Sequence, residues 1–207
     1  MGPQDGLPFQ RARSAEQRQD RLARLTDTTR GLLEQTRAAM VTLAQIGAAA
    51  GLAKSGVLRY AGSREALLLR VMYHEHLAWL DAIAQQLAEA PADELAEVLA
   101  RTLAQRPVLC DLICTAPALI CRLTPSDEHA VRDEAADITR RLGRTLRPRL
   151  VLDDNELALL TAAVHAFAGT AWGWADPGSA GGTAFVSDFE ETFAALLRTF
   201  IAGLGRG

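Results

Sequence analysis

Apolar residues along this chain recur every three or four positions, and no stretch alternates with period two for long. Recurrence at three and four lines up one side of a helix, whereas a strand needs strict alternation. Leu22, Leu25, Thr29, Leu32 and Leu33 form the first such stripe. Ser14 with Gln17 fits a capping box, which predicts a helix starting there. Thr42 with Gln45 is a second pair of this kind. It opens a short apolar helix, Leu43 to Ala50, which Gly51 ends. A third short helix covers about Lys54 to Ala61 and stops at Gly62. Ser63 then caps a long fourth helix through Leu67, Leu68, Val71, Met72, His76, Leu80 and Ile83. Further helices are expected at about 93–105, 107–121, 126–147, 154–174 and 187–204. Pro107, Pro117, Pro125 and Pro148 mark starts or breaks, and Ala175 to Thr183 reads as a loop. The pattern predicts an all-α chain of about nine helices.

Composition sharpens the kind of core. Hydrophobic residues make up 49% of the 207 positions but aromatics only 5%, so Leu, Ala, Val and Ile must fill the interior. Such side chains suit closely packed helices. Charge divides the chain: residues 1–70 carry a net +5 and residues 71–207 a net −8. A basic N-terminal part on an acidic body is what a DNA-binding head on a separate body would show. The basic residues are nearly all Arg, with Lys54 the one lysine, which reads first as coding bias. Residues 1–13 are rich in Gly and Pro, include Arg11 and Arg13, and read as a disordered arm. No apolar leader or membrane span is evident, so the expectation is a cytoplasmic protein with reduced thiols and no membrane partner.

The informative stretch is Thr42 to Leu68, T-L-A-Q-I-G-A-A-A-G-L-A-K-S-G-V-L-R-Y-A-G-S-R-E-A-L-L. Two short helices joined by one Gly-containing turn, roughly Thr42 to Tyr60, make a helix-turn-helix. Leu43, Ile46, Ala50, Leu52 and Val57 would pack the pair together. Lys54, Ser55, Arg59 and Tyr60 remain as polar residues able to face outward. Such side chains reach phosphates and base edges when a helix docks in the major groove.

This stretch resembles the DNA-binding segment of TetR/AcrR-family regulators at Thr42, Ile46, Ala50, Gly51, Lys54, Ser63, Arg64, Glu65 and Leu67. The match holds in order and spacing over about thirty residues. It departs at Leu58, where the family has a phosphate-contacting Tyr, and at Ala61, where it has an aromatic. Gly47 stands where the family has Ala, and Ala53 where it has Ser. The resemblance implies a three-helix DNA-binding head over residues 14–70 and a helical ligand-binding and dimerisation domain over 71–207. It implies Thr42, Lys54, Ser55, Arg59, Tyr60 and Arg64 as contacts to a double-stranded operator. Thr42 could instead serve as a helix cap alone, Arg59 and Arg64 as solvated charge, and Tyr60 as packing against the first helix. Gln105 to Cys114 also resembles, more weakly, the C-terminal domain of one TetR-like subgroup.

For the body, the resemblance implies a homodimer and a small-molecule effector. Leu157, Leu160 and Val164 with Phe189, Phe193, Leu197 and Phe200 form two helical stripes expected at the dimer interface. His76, Trp79, Cys110, Cys114, Cys121, His165 and Trp172 are candidate pocket residues, polar or aromatic positions within apolar stripes. No metal or cofactor is expected: Cys110 and Cys114 lack a second pair to complete a zinc site. No catalytic signature is present among the common hydrolase, nucleotide or metalloprotease motifs. The expected function is a ligand-responsive repressor released from a palindromic operator by a small apolar or amphipathic effector. The alternatives are a helical sensor or interaction protein that has lost DNA binding, and a thiol- or metal-dependent enzyme, which would need Cys110 and Cys114 exposed.

Overall fold

The computed structural model describes residues 7–175, 186 and 188–204. All regular structure among them is helical: α1 (Leu7–Leu33), α2 (Leu43–Ala50), α3 (Lys54–Ala61), α4 (Arg64–Glu89), α5 (Leu95–Ala104), α6 (Pro107–Ile120), α7 (Pro125–Leu146), α8 (Asp154–Ala175) and α9 (Phe189–Gly203). Short 3₁₀ turns precede α5 and follow α7. The first helix begins at Leu7, not at Ser14, so residues 7–13 of the expected arm are helical and residues 1–6 lie outside the described residues. Pro107 and Pro125 open α6 and α7, where a missing N–H costs nothing. Pro117 breaks no helix; it sits within the last turn of α6. Most of the loop expected at Ala175 to Thr183 lies outside the described residues.

The stops in the head are local. The Thr42 hydroxyl accepts from the Gln45 backbone N–H while the Gln45 side-chain Oε1 accepts from the Thr42 N–H at 2.8 Å, a complete capping box. At the other end Gly51 adopts φ +65°, and the N–H groups of Leu52 and Gly51 return to the carbonyls of Gly47 and Ala48. Those are the two bonds of a Schellman motif. The departure at Gly47 has a reason here: a Cβ would lie 2.6 Å from the Leu52 carbonyl oxygen. Only a residue without one lets the turn close this tightly.

Two cores form, and α4 and α6 contribute to both. Leu25, Leu33, Val41, Ile46 and Val57 of the head pack with Leu67, Leu68, Leu69 and Val71 of α4. They also pack with Val108, Leu112, Ala116 and Leu119 of α6. The second core joins Trp79, Ile83 and Leu87 of α4 to Leu109, Cys110 and Ile113 of α6 and to the buried faces of α5, α7, α8 and α9. The head core therefore reaches well beyond residue 70, borrowing one face of α6.

That second core takes in most of the expected dimer stripe. Leu157, Leu160, Val164, Phe189, Phe193 and Leu197 are buried inside the protomer, and only Phe200 stays partly open. A 3–4 stripe reports that a helix face is buried but not which surface covers it. The outward side of α8 and α9 instead carries Leu159, 57% exposed, and an apolar groove lined by Phe167, Leu196, Phe200 and Leu204. α8 is long and apolar enough by composition to cross a membrane, and part of that apolar surface is used in the core.

Candidate nucleic-acid interface and effector cavity

Helix α3 turns its charged side outward. Lys54, Ser55 and Arg59 are exposed, while Val57 is fully buried and anchors the helix on the head core. Thr42, at the N-terminus of α2, is exposed and also serves as the cap. Tyr60 is half-buried and packs against the head core together with Ala61. Leu58 remains 38% exposed beside the charged residues. Arg18 of α1, which pattern reading missed, donates to the Arg59 carbonyl at 3.4 Å and extends the basic face.

Arg64, at the start of α4, is engaged within the protein. Its guanidinium donates to the Val41 carbonyl at 2.5 Å, to Ala38 at 2.6 Å and to Ala39 at 3.3 Å, and it pairs with Glu65 at 3.1 Å. These contacts tie the start of α4 to the loop before α2.

A second tie links the same loop to α6. Asp111 accepts from Arg37 at 2.9 Å and from the Ala38 backbone N–H at 2.6 Å. Nearby, the mostly buried Glu75 carboxylate of α4 accepts from Arg30 of α1 at 2.5 Å and from Arg106 before α6 at 3.4 Å. Arg106 also donates to the Ala78 carbonyl. Neither carboxylate was legible as a linker, because its partners are distant in sequence.

The expected pocket residues divide. His76 and His165 line a cavity of about 200 Å³ with Leu69, Met72, Tyr73, Ile120, Glu134 and Ile138. Their Nε2 atoms lie 3.1 Å apart. Burial keeps both imidazoles neutral, lowering the His76 pKa to about 3 with help from neighbouring His165. Burial raises the Glu134 carboxyl, which pairs with Arg70 at 3.2 Å. The other candidates lie elsewhere. Trp79 is core, its Nε1–H donating to Thr102 Oγ1 at 2.9 Å. Cys110 is buried and its thiol is pushed up by desolvation, so it behaves as a small apolar residue. Cys114 and Cys121 are exposed outside this cavity. Trp172 packs edge-to-face on Phe189 beside a separate groove between α1 and α6. No group of three or more His, Cys, Asp or Glu able to hold a metal occurs among the described residues.

A capped two-helix motif with an outward basic face, mounted on a helical body with a half-open cavity, has the architecture of a transcriptional regulator. The family model described as tetracyclin repressor-like, C-terminal domain, matches residues 73–206, and the chain belongs to the TetR family of transcriptional regulators. Solved structures agree on the fold. FadR from Thermus thermophilus, a TetR-family repressor in complex with lauroyl-CoA, is 18% identical with a TM-score of 0.61, covering 90% of this chain and 96% of that one. The fatty acid degradation regulator FadR from Bacillus halodurans is 14% identical with a TM-score of 0.57, covering 89% and 96%. A TetR regulator from a Rhodococcus species is 16% identical with a TM-score of 0.56, covering 91% and 98%. The chain matches no curated protein sequence.

Proposed function

We propose that this chain is a homodimeric repressor whose α3 helices dock in successive major grooves of a palindromic operator and are withdrawn when a small effector enters the body. The observation that carries the reading is the path of α4. One unbroken helix starts at the Ser63 cap just after α3, supplies Leu67 and Leu68 to the head core, and lines the cavity with Met72, Tyr73 and His76. An occupant that displaces α4 there also moves the base of the head, so operator and effector favour different settings of one rigid element. Lys54, Ser55 and Arg59 are the DNA contacts of this reading, with Thr42 and Arg18 toward phosphate. The dimer surface is the outward face of α8 and α9, including Leu159, Phe167, Leu196 and Phe200, in place of the buried stripe. The cavity suits a smaller occupant than the lauroyl-CoA held by the Thermus neighbour.

Gel shift with DNA from beside its own gene tests the reading directly. The expected result is salt-sensitive, sequence-preferring binding by a species that sediments as a dimer. Binding indifferent to sequence would overturn it.

A further inference from the structure

Five arginines fall within ten positions, Arg140, Arg141, Arg144, Arg147 and Arg149, with no acidic residue from Ile138 to Leu152. The body that carries them is otherwise acidic, with a net −8 over residues 71–207. Their side chains divide. Arg141 lies toward α4 and pairs with Asp137 at 2.6 Å, and Arg149 donates to the Ala90 carbonyl at 2.8 Å. Arg140, Arg144 and Arg147 instead line an open groove of about 360 Å³ between α7 and α8, together with Gly143, Leu157 and Ala158. All three are exposed. Arg140 shares Asp137 with Arg141, at 3.3 Å, and Arg147 pairs with the exposed Asp154. Among the described residues Arg144 has no ion-pair partner. Exposed pairs of this kind are weak, so all three guanidiniums can turn to another anion.

The groove abuts the apolar cavity of the body. Thr139 lines both, and on α8 Thr161 of the groove lies one turn from His165 of the cavity. Inside the cavity the polar groups are already engaged. His76 and His165 meet through their Nε2 atoms at 3.1 Å and face backbone carbonyls through Nδ1, and Glu134 is paired with Arg70 at 3.2 Å. The remaining walls are mostly apolar, among them Leu69, Met72, Ile120 and Ile138. The cavity therefore offers apolar space, and the groove beside it offers cations. An apolar cavity of ~150 Å³ holds a benzene ring, so one of about 200 Å³ takes roughly eight carbons. Ile138 to Arg144 spans about 9 Å of helix, within reach of such a chain. Resting on the reading of this cavity as the effector site, we infer that the seam between α7 and α8 takes an amphiphile with an oxyanion head and a tail of roughly six to eight carbons, the tail in the cavity and the head on Arg140, Arg144 and Arg147.

Octanoate, octyl phosphate, octanol and octyltrimethylammonium share a tail and differ in the head. Titration calorimetry on the full chain without DNA is expected to rank both anions ahead of octanol and the cation last. The tighter of the two anions identifies the head as carboxylate or phosphate. From butanoate to octanoate each methylene should tighten binding about three- to fourfold, the gain for burying one CH₂. Arg144→Gln alters an exposed side chain and should weaken octanoate about three- to tenfold while leaving octanol unchanged. Arg132→Gln, at an equally exposed position of α7 outside the groove, should change neither. Octanol or the cation binding as tightly as octanoate would overturn the inference. So would affinity indifferent to chain length, or equal weakening of octanoate by Arg132→Gln and Arg144→Gln. Anions bound with this ranking by a chain that ignores its operator support the seam chemistry while counting against the repressor reading. Sequence-preferring operator binding by a chain that takes octanol as well as octanoate does the reverse, so the two failures are distinguishable.

Discussion

In the head, two eight-residue helices are each closed by a glycine at positive φ, and α2 carries its own capping box. In the body, helices α5 to α9 of 10 to 22 residues run between loops with few such stops, and α8 is rich in Ala and Leu around much of its circumference. The head is specified by local chemistry, so its working face follows from its sequence. The body is specified by long-range packing, so its elements are predictable but their outward and inward sides are not. The helix joining the two cores from the body side is α6, with Leu112 in the head core and Leu109 in the body core.

Removing Leu112 tests whether the head ends at residue 70. Leu112→Ala empties a fully buried site in the head core and should cost about 2–5 kcal/mol, read by denaturant unfolding. Weaker amide-exchange protection should follow in α1 and α2, far upstream in sequence. If protection there is unchanged, the head is a self-contained unit and α6 merely leans on it.

The matching test on the DNA side uses residues that touch neither core. Lys54→Ala with Arg59→Ala should leave the melting temperature within a degree or two, since both side chains are exposed. Operator affinity, followed by fluorescence anisotropy, should fall by about 10- to 100-fold, as expected for losing phosphate and base contacts worth ~1–3 kcal/mol. Unchanged affinity would favour a relative of this fold that has given up DNA.

What could be read from sequence follows this division. Thr42–Gln45, Gly51 and Ser63 sit at fixed short spacings, and each does its structural work within four residues. Lys54, Ser55 and Arg59 fall on the exposed side of α3 because Val57 must be buried. The contacts of Arg64 to the carbonyls of Ala38 and Val41 were not legible, because those partners lie more than twenty positions away in sequence. The α8 and α9 stripes were legible as buried faces, but periodicity records burial without naming what covers it. His76 and His165 were flagged singly; their meeting across 89 positions of sequence is tertiary information.

A smaller effect should come from the tie that pattern reading missed. Asp111→Asn keeps the shape of the side chain but removes its charge toward Arg37 and weakens its acceptance from Ala38 N–H. A charge-assisted bond exchanged for a neutral one should cost about 1 kcal/mol. The comparison is sharpened by where that cost appears. If α6 is a true link between head and body, effector release from the operator should be blunted in this variant more than effector binding itself. Equal loss of both would make Asp111 a stabiliser of the fold without a part in the coupling.

The smallest effect is one of pH and belongs to the body alone. His76 is neutral in the fold down to about pH 3, whereas in the unfolded chain it takes a proton below the usual histidine pKa near 6.5. The pair's neutral burial is thus fully compatible with folding above pH 6.5. Below that, the unfolded chain binds protons the folded one refuses, and stability falls as pH is lowered. His165 shifts in the same direction, so up to two protons are linked to unfolding. Between pH 6.5 and 5 the melting temperature should drop in the unaltered chain. The drop should be shallower in His165→Leu. Since both rings stand in the body core and cavity wall, exchange protection in α7 and α8 should weaken before that of α2 and α3. Simultaneous loss in head and body would mean that the cores α4 and α6 share unfold as one unit.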